Sequence, residues 1–297
     1  MAAKFIADQT KGGGLFPAER LFVLSASFFS LLLLVDYLLR ENREIFLLPV
    51  SLAIILLFLY IPRIRQRFGK KPGWLFIFSA LTLPGYAYLY MLTGTLVQFL
   101  RRPWQDELLS RLDLAIFGFN PNLALSRLQT TWLTELMMFA YLVYLPLLVW
   151  LAYMLFRIRG QAGLQSYVFT LGLAYLACFL LFILVPASSP RFYFEGLVPQ
   201  GGLIFRRLMD LVETSAQYRG GSFPSAHCAA GTVMLYFSLK AGKKVAMVII
   251  PLIVLFFVST VYGQYHYGVD LLAGVIIGVV AIPFSKKALR GQLTGSG

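Results

Sequence analysis

The stretch WLTELMMFAYLVYLPLLVWLAYMLF, Trp132–Phe156, contains a single charged residue, Glu135. A helix needs about 20 mostly apolar residues to cross the roughly 30 Å hydrocarbon core of a bilayer. The stretch meets that length, and it predicts a transmembrane helix. The composition agrees, because 59% of the 297 residues are hydrophobic and only 13% are charged, whereas soluble domains carry about 25% charged residues.

Seven further apolar runs flank this one, separated by charged residues or by Pro and Gly. Together they predict an all-α integral membrane protein with about eight transmembrane helices. We expect a two-helix N-terminal addition at residues 1–73 and a six-helix membrane core at residues 74–290, within a single domain. The eight runs lie at 21–39, 45–62, 74–99, 132–156, 167–186, 225–240, 245–263 and 270–285.

Positive charge is distributed unevenly between the loops on the two sides of these helices. When the loops are assigned to alternate sides, one side receives 16 of the 26 Lys and Arg residues, including all nine lysines. Loops rich in Lys and Arg face the cytoplasm, so both termini are predicted to be cytoplasmic. The net charge of +13 then reflects topology, and we expect no nucleic-acid partner.

The chain contains two histidines, and each lies beside short polar residues at the end of an apolar run. His227 lies in GSFPSAHCAAG, and His266 lies 39 residues later in YGQYHYGVD. At about 1.5 Å per residue, that separation crosses the membrane and returns, so both histidines are predicted at the outer face. Asp270 follows His266 by four residues, a spacing that places two side chains on one face of a helix.

Two imidazoles and a carboxylate suit group transfer through a covalent histidine intermediate. The carboxylate fixes the tautomer of the attacking imidazole, and the second imidazole donates a proton to the leaving oxygen. The segment GGSFPS before His227 offers backbone N–H groups to an anion. Phosphorus is the natural electrophile, because positioning and charge stabilisation carry most of phosphoryl transfer.

These motifs resemble the signatures of the type-2 phosphatidic acid phosphatase superfamily, K-x6-R-P, P-S-G-H and S-R-x5-H-x3-D. PSAH, Pro224–His227, matches the second signature with Ala226 in place of glycine. STVYGQYHYGVD, Ser259–Asp270, matches the third with Thr260 in place of arginine. With these departures the segment is similar to the branch that contains the inositol phosphorylceramide synthases.

The first signature is present only in part. Arg102 and Pro103 match its R-P, whereas Thr95 occupies the lysine position. The following segment, RPWQDELLSRLDLAIFGFNP, is similar to a segment of the same branch.

The resemblance implies a role for each matched residue. The nucleophile falls on His266, the orienting carboxylate on Asp270 and the proton donor on His227. Ser225 and the nearby backbone are implied to bind phosphate. The resemblance also implies an enzyme that uses no metal and no other cofactor.

Further assignments rest on position alone. The phosphate-binding cations that replace Thr95 and Thr260 are predicted to be Arg102, Arg191 and Arg219. Glu135, near the outer start of its helix, is predicted to support the site.

Three other segments carry predictions of structure. Asp106 and Asp113 are expected to pair with neighbouring arginines. Gly201–Tyr218 spaces its apolar residues at a helical period, so it either lies flat on the outer leaflet and helps to admit lipid, or packs as plain surface. AGVIIG, Ala273–Gly278, is expected to permit close helix packing.

The predicted function is transfer of a phosphoryl or phospho-head-group from a membrane lipid donor to a lipid alcohol. A lipid phosphate phosphatase, with water as the acceptor, is the first alternative. A non-catalytic lipid transporter or scaffold is the second, although transporters bury their polar sites near the bilayer midplane. The site is expected on the outer side, of a bacterial inner membrane rather than of a Golgi membrane.

Overall fold

The computed structural model describes residues 14–40, 43–68, 71–194, 196–199, 201–216 and 219–294. In these ranges the chain forms helices and no strand, and we number the α-helices in chain order. They are α1 (Pro17–Arg40), α2 (Leu47–Phe68), α3 (Pro72–Ala80), α4 (Thr82–Leu96), α5 (Asp106–Phe117), α6 (Pro121–Ser126), α7 (Thr131–Leu184), α8 (Pro190–Tyr193), α9 (Phe205–Ala216), α10 (Ala226–Ala241), α11 (Lys243–Tyr262) and α12 (Gly268–Thr294).

Six helical segments of the described chain are long and apolar enough to cross a membrane. They are Pro17–Arg40, Arg43–Phe68, Pro72–Leu96, Thr131–Leu184, Lys243–Tyr262 and Gly268–Arg290. The all-α membrane fold that the sequence predicts is therefore confirmed.

The predicted number of eight spans differs from these six segments for two reasons. Helix α7 has 54 residues, about 80 Å at 1.5 Å per residue, and it contains two of the predicted runs. Its backbone leaves the helical region at Gly160, where φ is 63°, a conformation that glycine adopts readily. Helix α10 has only 16 residues, short of a full span. The count of eight stays a prediction.

Helix α10 packs against α7, α11 and α12. Small residues allow the close approach of α12, as the AGVIIG segment predicts. A Cβ atom at Gly274 would lie 2.3 Å from the carbonyl oxygen of Ser225, and one at Gly278 would lie 2.6 Å from that of Ala229. Only glycine fits at such distances. Helices α10 and α12 therefore pack closely together within the turns next to the two histidine motifs.

The N-terminal helices pack against the remaining helices rather than standing apart. The Phe22 ring on α1 lies 4.3 Å from the Phe58 ring and 5.6 Å from the Tyr86 ring. Glu19 and Arg65 form a buried ion pair, 2.5 Å between Oε1 and Nη1, that joins α1 to α2. The division of the chain at residues 73 and 74 stays a prediction.

Two long connections, residues 100–131 and 187–224, separate the apolar runs of the sequence and contain the short helices. The first holds α5 and α6, and the second holds α8 and α9. Helix α5 packs against α12, α6 against α11, and α9 against α7. The connections therefore cover the end of the bundle at which α10 and α12 begin.

Candidate active site

His227 and His266 come together where α10 and α12 begin. His227 is the second residue of α10, and His266 lies two residues before α12. The centroids of the two imidazole rings are 5.7 Å apart. Histidines that are 39 positions apart in the chain are therefore neighbours in the fold.

The tautomer of His266 follows from a backbone contact. Its Nδ1 lies 2.9 Å from the carbonyl oxygen of Ser222, and a carbonyl oxygen only accepts hydrogen bonds. Nδ1 therefore donates, and in the neutral ring Nε2 carries the lone pair. Asp270 Oδ2 lies farther from Nδ1, at 3.4 Å. The carbonyl of Ser222 shares the orienting role that the resemblance gives to Asp270 alone.

Asp270 is buried and organises the segments around His266. Its Oδ2 accepts hydrogen bonds from the Ser222 hydroxyl and, at 2.9 Å, from the Tyr267 N–H. Its backbone carbonyl accepts from the Ser225 N–H at 3.0 Å. The carboxylate is thus tied to the segment before α10 as well as to its own helix, and it fixes the Ser222 residue that orients His266.

His227 lies among aromatic rings. The centroids of Tyr141, Tyr144 and Phe256 are 5.5, 5.6 and 6.1 Å from its ring. The Tyr141 hydroxyl approaches Nε2 of His227 at 3.5 Å, the outer limit of a hydrogen bond. These rings enclose the imidazole and restrict its orientation.

The two histidines line a cavity of about 40 Å³, which is room for about three water molecules. Beside them its wall is formed by aromatic side chains, by one arginine and by small polar residues. These residues are Tyr90, Tyr141, Ser189, Arg191, Phe192, Gly220, Gly221, Ser222 and Tyr265. The cavity wall thus combines one guanidinium and small polar groups with aromatic rings.

Arg191 is the one predicted phosphate-binding arginine that lines the cavity. Its backbone N–H donates to the carbonyl oxygen of Gln264 at 3.0 Å, which ties α8 to the turn before His266. Its guanidinium carbon lies 5.9 Å from the centroid of the Tyr265 ring. Arg191 therefore brings positive charge to the wall that also carries His266.

Arg102 and Arg219 lie outside this wall, and their assignment to phosphate stays a prediction. Arg102 donates from Nη1 to the carbonyl oxygen of Leu184 at 2.9 Å and is exposed. The Arg219 guanidinium lies over the Trp104 ring, 5.1 Å from its centroid. A position near the correct end of the bundle leaves the direction of a long side chain undetermined.

Ser225 is buried and caps α10 instead of lining the cavity. Its hydroxyl oxygen accepts from the Cys228 N–H at 3.2 Å, an N-cap that satisfies one free donor of the first helical turn. Ser222, three residues earlier, lies in the cavity wall. Ser225 therefore has a structural role in the helix cap, and its contact with phosphate stays a prediction.

Glu135 also caps a helix rather than reaching the cavity. Its two carboxylate oxygens accept from the backbone N–H groups of residues 203–206 at 2.8 to 3.0 Å. These groups begin α9, where a negative charge is favoured by the helix dipole. Exposed apolar side chains lie along α9, among them Leu208 and Leu211, so Glu135 anchors the segment predicted to contact the outer leaflet.

Asp106 was missed as a residue of the site, and its expected pairing with an arginine is wrong. Its carboxylate is buried and accepts from the backbone N–H groups of Ser188 and Ser189 at 2.9 and 3.1 Å. It also accepts from the Tyr267 hydroxyl at 2.8 Å. Burial and the Asp106 charge raise the pKa of the Tyr267 phenol above its usual range, so Tyr267 remains a donor.

The contact to Ser189 matters because this cavity residue has φ 97°. Residues other than glycine rarely adopt such a conformation, and it persists only where the surroundings enforce it. The hydrogen bond from the Ser189 N–H to Asp106 on α5 helps to hold Ser189 in this conformation. The carboxylate thereby fixes the backbone of one cavity residue and, through Tyr267, the segment that joins His266 to α12.

Asp113 was missed in the same way, and its expected arginine pairing is also wrong. It lies seven residues after Asp106, on the same face of α5, and its carboxylate accepts from the N–H groups of Gly268 and Val269 at 3.0 and 2.7 Å. It therefore holds the start of α12, the helix that carries Asp270. The seven-residue spacing of two acids in a short helix was the available sequence signal.

We expect the ionisation of Asp113 to make the stability of the protein depend on pH. Burial raises the pKa of its carboxyl to about 6, against the opposing effect of the two N–H donors. In the unfolded chain the pKa of this carboxyl is about 4. The stability that Asp113 contributes is therefore present below pH 4 and is lost as pH rises through 6. Relative to Asp113→Asn, we expect the protein to lose about 2 kcal/mol of stability between pH 4 and pH 8.

Thermal unfolding of both proteins in detergent across this range measures that difference. The wild-type melting temperature should fall relative to that of the variant as the pH is raised. Parallel melting curves at every pH would contradict the shifted pKa.

The helical bundle defines an all-helical integral membrane protein, and the polar groups gathered at one end of it form a candidate active site. Within this class the family can be named. The chain matches the family model of the PAP2 superfamily over residues 107–284, more than half of its length, and it belongs to that superfamily. Members are generally phosphatases and phosphotransferases, which supports an enzyme. No curated protein and no solved structure matches the chain.

Proposed function

We propose that the protein is a lipid phosphotransferase that works through a phosphohistidine at His266. The observation that carries the proposal is the hydrogen bond from His266 Nδ1 to the Ser222 carbonyl, 2.9 Å long. It leaves Nε2 with a lone pair and with no protein partner among the described residues, in a cavity shared with His227. A nucleophile held in its reactive tautomer beside a second imidazole is the arrangement that covalent group transfer requires.

In the first step, Nε2 of His266 attacks phosphorus, and the bond from phosphorus to the lipid oxygen breaks. His227 takes up a proton as the anionic substrate binds beside it, and it gives that proton to the lipid oxygen. Asp270 and the Ser222 carbonyl stabilise the positive charge on the His266 ring. Arg191 and the backbone N–H groups near Gly221 stabilise the negative charge on the phosphoryl oxygens.

In the second step, an acceptor hydroxyl attacks phosphorus and the bond to Nε2 breaks. His227 now removes the proton of that hydroxyl and returns to its protonated state. The aromatic wall of the cavity, which includes Tyr90, Phe192 and Tyr265, suits the apolar part of a lipid better than bulk water. This favours a lipid alcohol as acceptor, as in the inositol phosphorylceramide synthases that the motifs resemble.

Thr260 supports an altered phosphate clamp. It occupies the position of an arginine in the superfamily signature, and its buried hydroxyl donates to the Phe257 carbonyl at 2.7 Å. The residue is therefore part of the packing of α11. Arg191, which approaches the cavity from α8, is the proposed replacement.

The test offers two sets of substrates to the purified protein in mixed micelles without added divalent metal. One contains phosphatidic acid, and the other contains phosphatidylinositol with ceramide. A new phosphorylated sphingolipid with release of diacylglycerol in the second supports the transferase. Free phosphate from the first indicates a phosphatase whose acceptor is water. No turnover of either, nor of other lipid phosphates, would overturn the proposal in favour of a transporter or scaffold.

The sidedness of the site is part of the proposal. The lysines of α10 and α12 lie at the ends of those helices remote from His227 and Asp270. With the lysine-rich side in the cytoplasm, the site opens to the periplasm or to a lumen.

A further inference from the structure

A second cavity lies at the opposite end of the bundle from the histidines. Its volume is about 380 Å³, and Lys240 on its wall follows His227 by thirteen residues of helix α10, about 20 Å at 1.5 Å per residue. It lies between the two parts of α7 that meet at Gly160 and the last turns of α10 and α12. Its wall includes Leu155, Arg159, Ser166, Tyr236, Lys240, Ser285 and Lys286.

Three cations share this cavity without a carboxylate. Arg159, Lys240 and Lys286 form no ion pair within the part of the chain that the structure describes. The sequence has no Asp or Glu between Glu135 and Glu195, between Glu213 and Asp270, or after Asp270. Like charges at close range repel each other, so the cavity lacks the anion that would balance them.

The contacts of the three cations draw them together. The ammonium groups of Lys240 and Lys286 lie over the same ring, 5.5 and 4.9 Å from the centroid of Tyr236. Arg159 donates from Nε to the Lys240 carbonyl at 2.9 Å, and its terminal guanidinium nitrogens have no acceptor among the described residues. A planar group with free paired donors suits the oxygens of a phosphate.

The break in α7 places Arg159 on this wall. The chain turns at Gly160, where φ is 63°, and Arg159 then lies against the part of α7 that follows the turn. A Cβ atom at Gly163 would be 2.5 Å from the Cβ atom of Arg159. The glycine therefore keeps room for the arginine stem at the mouth of the cavity.

The surroundings of the cations are those of a membrane boundary. Each has a strongly exposed apolar neighbour within two positions in the sequence: Ile158, Leu239 and Phe284 are 53%, 63% and 65% exposed. Leu155 and Phe237 form buried parts of the cavity wall. A lipid offers a charged head group joined to apolar acyl chains. The three cations can contact the head group, and the apolar side chains around them can contact the acyl chains.

We propose that this cavity binds the phosphate head group of an anionic glycerophospholipid in the leaflet opposite the active site. Basic pockets between helices on the cytoplasmic side are sites at which such head groups bind. The site is independent of the chemistry proposed at His266, since it shares no residue with that cavity.

The experiment compares two triple variants with the same change in charge. The first, Arg159→Gln/Lys240→Gln/Lys286→Gln, removes the cations of the cavity. The second, Arg157→Gln/Lys244→Gln/Lys287→Gln, removes exposed cations nearby that do not line it. Native mass spectrometry of the full-length protein in neutral detergent measures the binding of phosphatidylglycerol, phosphatidylcholine and inorganic phosphate.

We expect the cavity variant to bind phosphatidylglycerol about a hundredfold more weakly than wild type, and the control variant to bind it within about twofold of wild type. Equal losses in both variants would overturn the proposal and leave a diffuse attraction to positive charge. Inorganic phosphate that competes as well as the lipid would show a site for free anions instead. Equal binding of phosphatidylcholine and phosphatidylglycerol would contradict the role of the three cations.

Discussion

Replacing His266 by alanine is expected to lower turnover of the lipid substrate by a factor of about a thousand or more. Removal of a nucleophile eliminates the covalent route, and only binding and charge stabilisation remain. The side chain is buried, 4% exposed, and its Nδ1 contact is to a backbone carbonyl. A His266→Gln variant fills most of the same space, so it separates loss of chemistry from loss of packing. Activity in mixed micelles, with size-exclusion profiles of each variant, provides the measurement.

The companion variant His227→Ala distinguishes the two roles. His227 is proposed to protonate the leaving oxygen, so a substrate whose leaving group is acidic should restore the first step, release of that leaving group, in His227→Ala. The same substrate should leave His266→Ala inactive. With a label in the phosphoryl group of that substrate, the acid-labile N–P bond should accumulate in His227→Ala, because the second step still lacks its base, and should be absent from His266→Ala. Rescue of both variants, or of neither, would contradict the assignment.

Replacing Asp106 by alanine is expected to reduce the free energy of unfolding by about 3–6 kcal/mol, because three buried donors lose their acceptor. These donors are the N–H groups of Ser188 and Ser189 and the hydroxyl of Tyr267. Activity should fall as well, since Ser189 lines the cavity with a φ of 97°. Asp106→Asn retains an acceptor oxygen and should lie between wild type and Asp106→Ala.

The adjacent acid provides a matched control. Glu107 has a 66% exposed side chain and pairs with Arg111 on the helix surface, so Glu107→Ala should change stability by no more than about 0.5 kcal/mol. Thermal unfolding in detergent measures both variants, and turnover is compared at a temperature well below both transitions. Equal melting temperatures for Asp106→Ala and Glu107→Ala would show that α5 does not hold the site.

Some features of the site follow from local spacing alone. The separation of 39 positions between His227 and His266 fixes how far the chain travels, because each helical residue advances it by about 1.5 Å. The small residues of AGVIIG predict close packing because a glycine has no side chain to separate two helices, and Gly274 contacts the start of α10 accordingly. Such inferences need only the geometry of a single helix or of two consecutive ones.

Other features depend on partners that are remote in the chain. Asp106 and Tyr267 are 161 residues apart, and no local pattern relates them. Arg102 and Arg191 both lie near the correct end of the bundle, yet only Arg191 lines the cavity. Ser225 and Ser222 are three residues apart, yet Ser225 caps α10 through Cys228 whereas Ser222 lines the cavity. The direction of each side chain is set by the elements packed around it.

The sequence by itself determined that the protein is an all-helical membrane protein, that it carries two histidine motifs of the PAP2 superfamily, and on which helices those motifs lie. Hydrophobic length and helical rise are local properties, so composition and spacing express them directly. Only the tertiary structure decided that a backbone carbonyl orients His266, that two aspartates of α5 hold the surrounding loops, and that three cations enclose a cavity at the other end. Those contacts join segments far apart in the chain, and burial makes each unpaired donor costly enough to demand its partner.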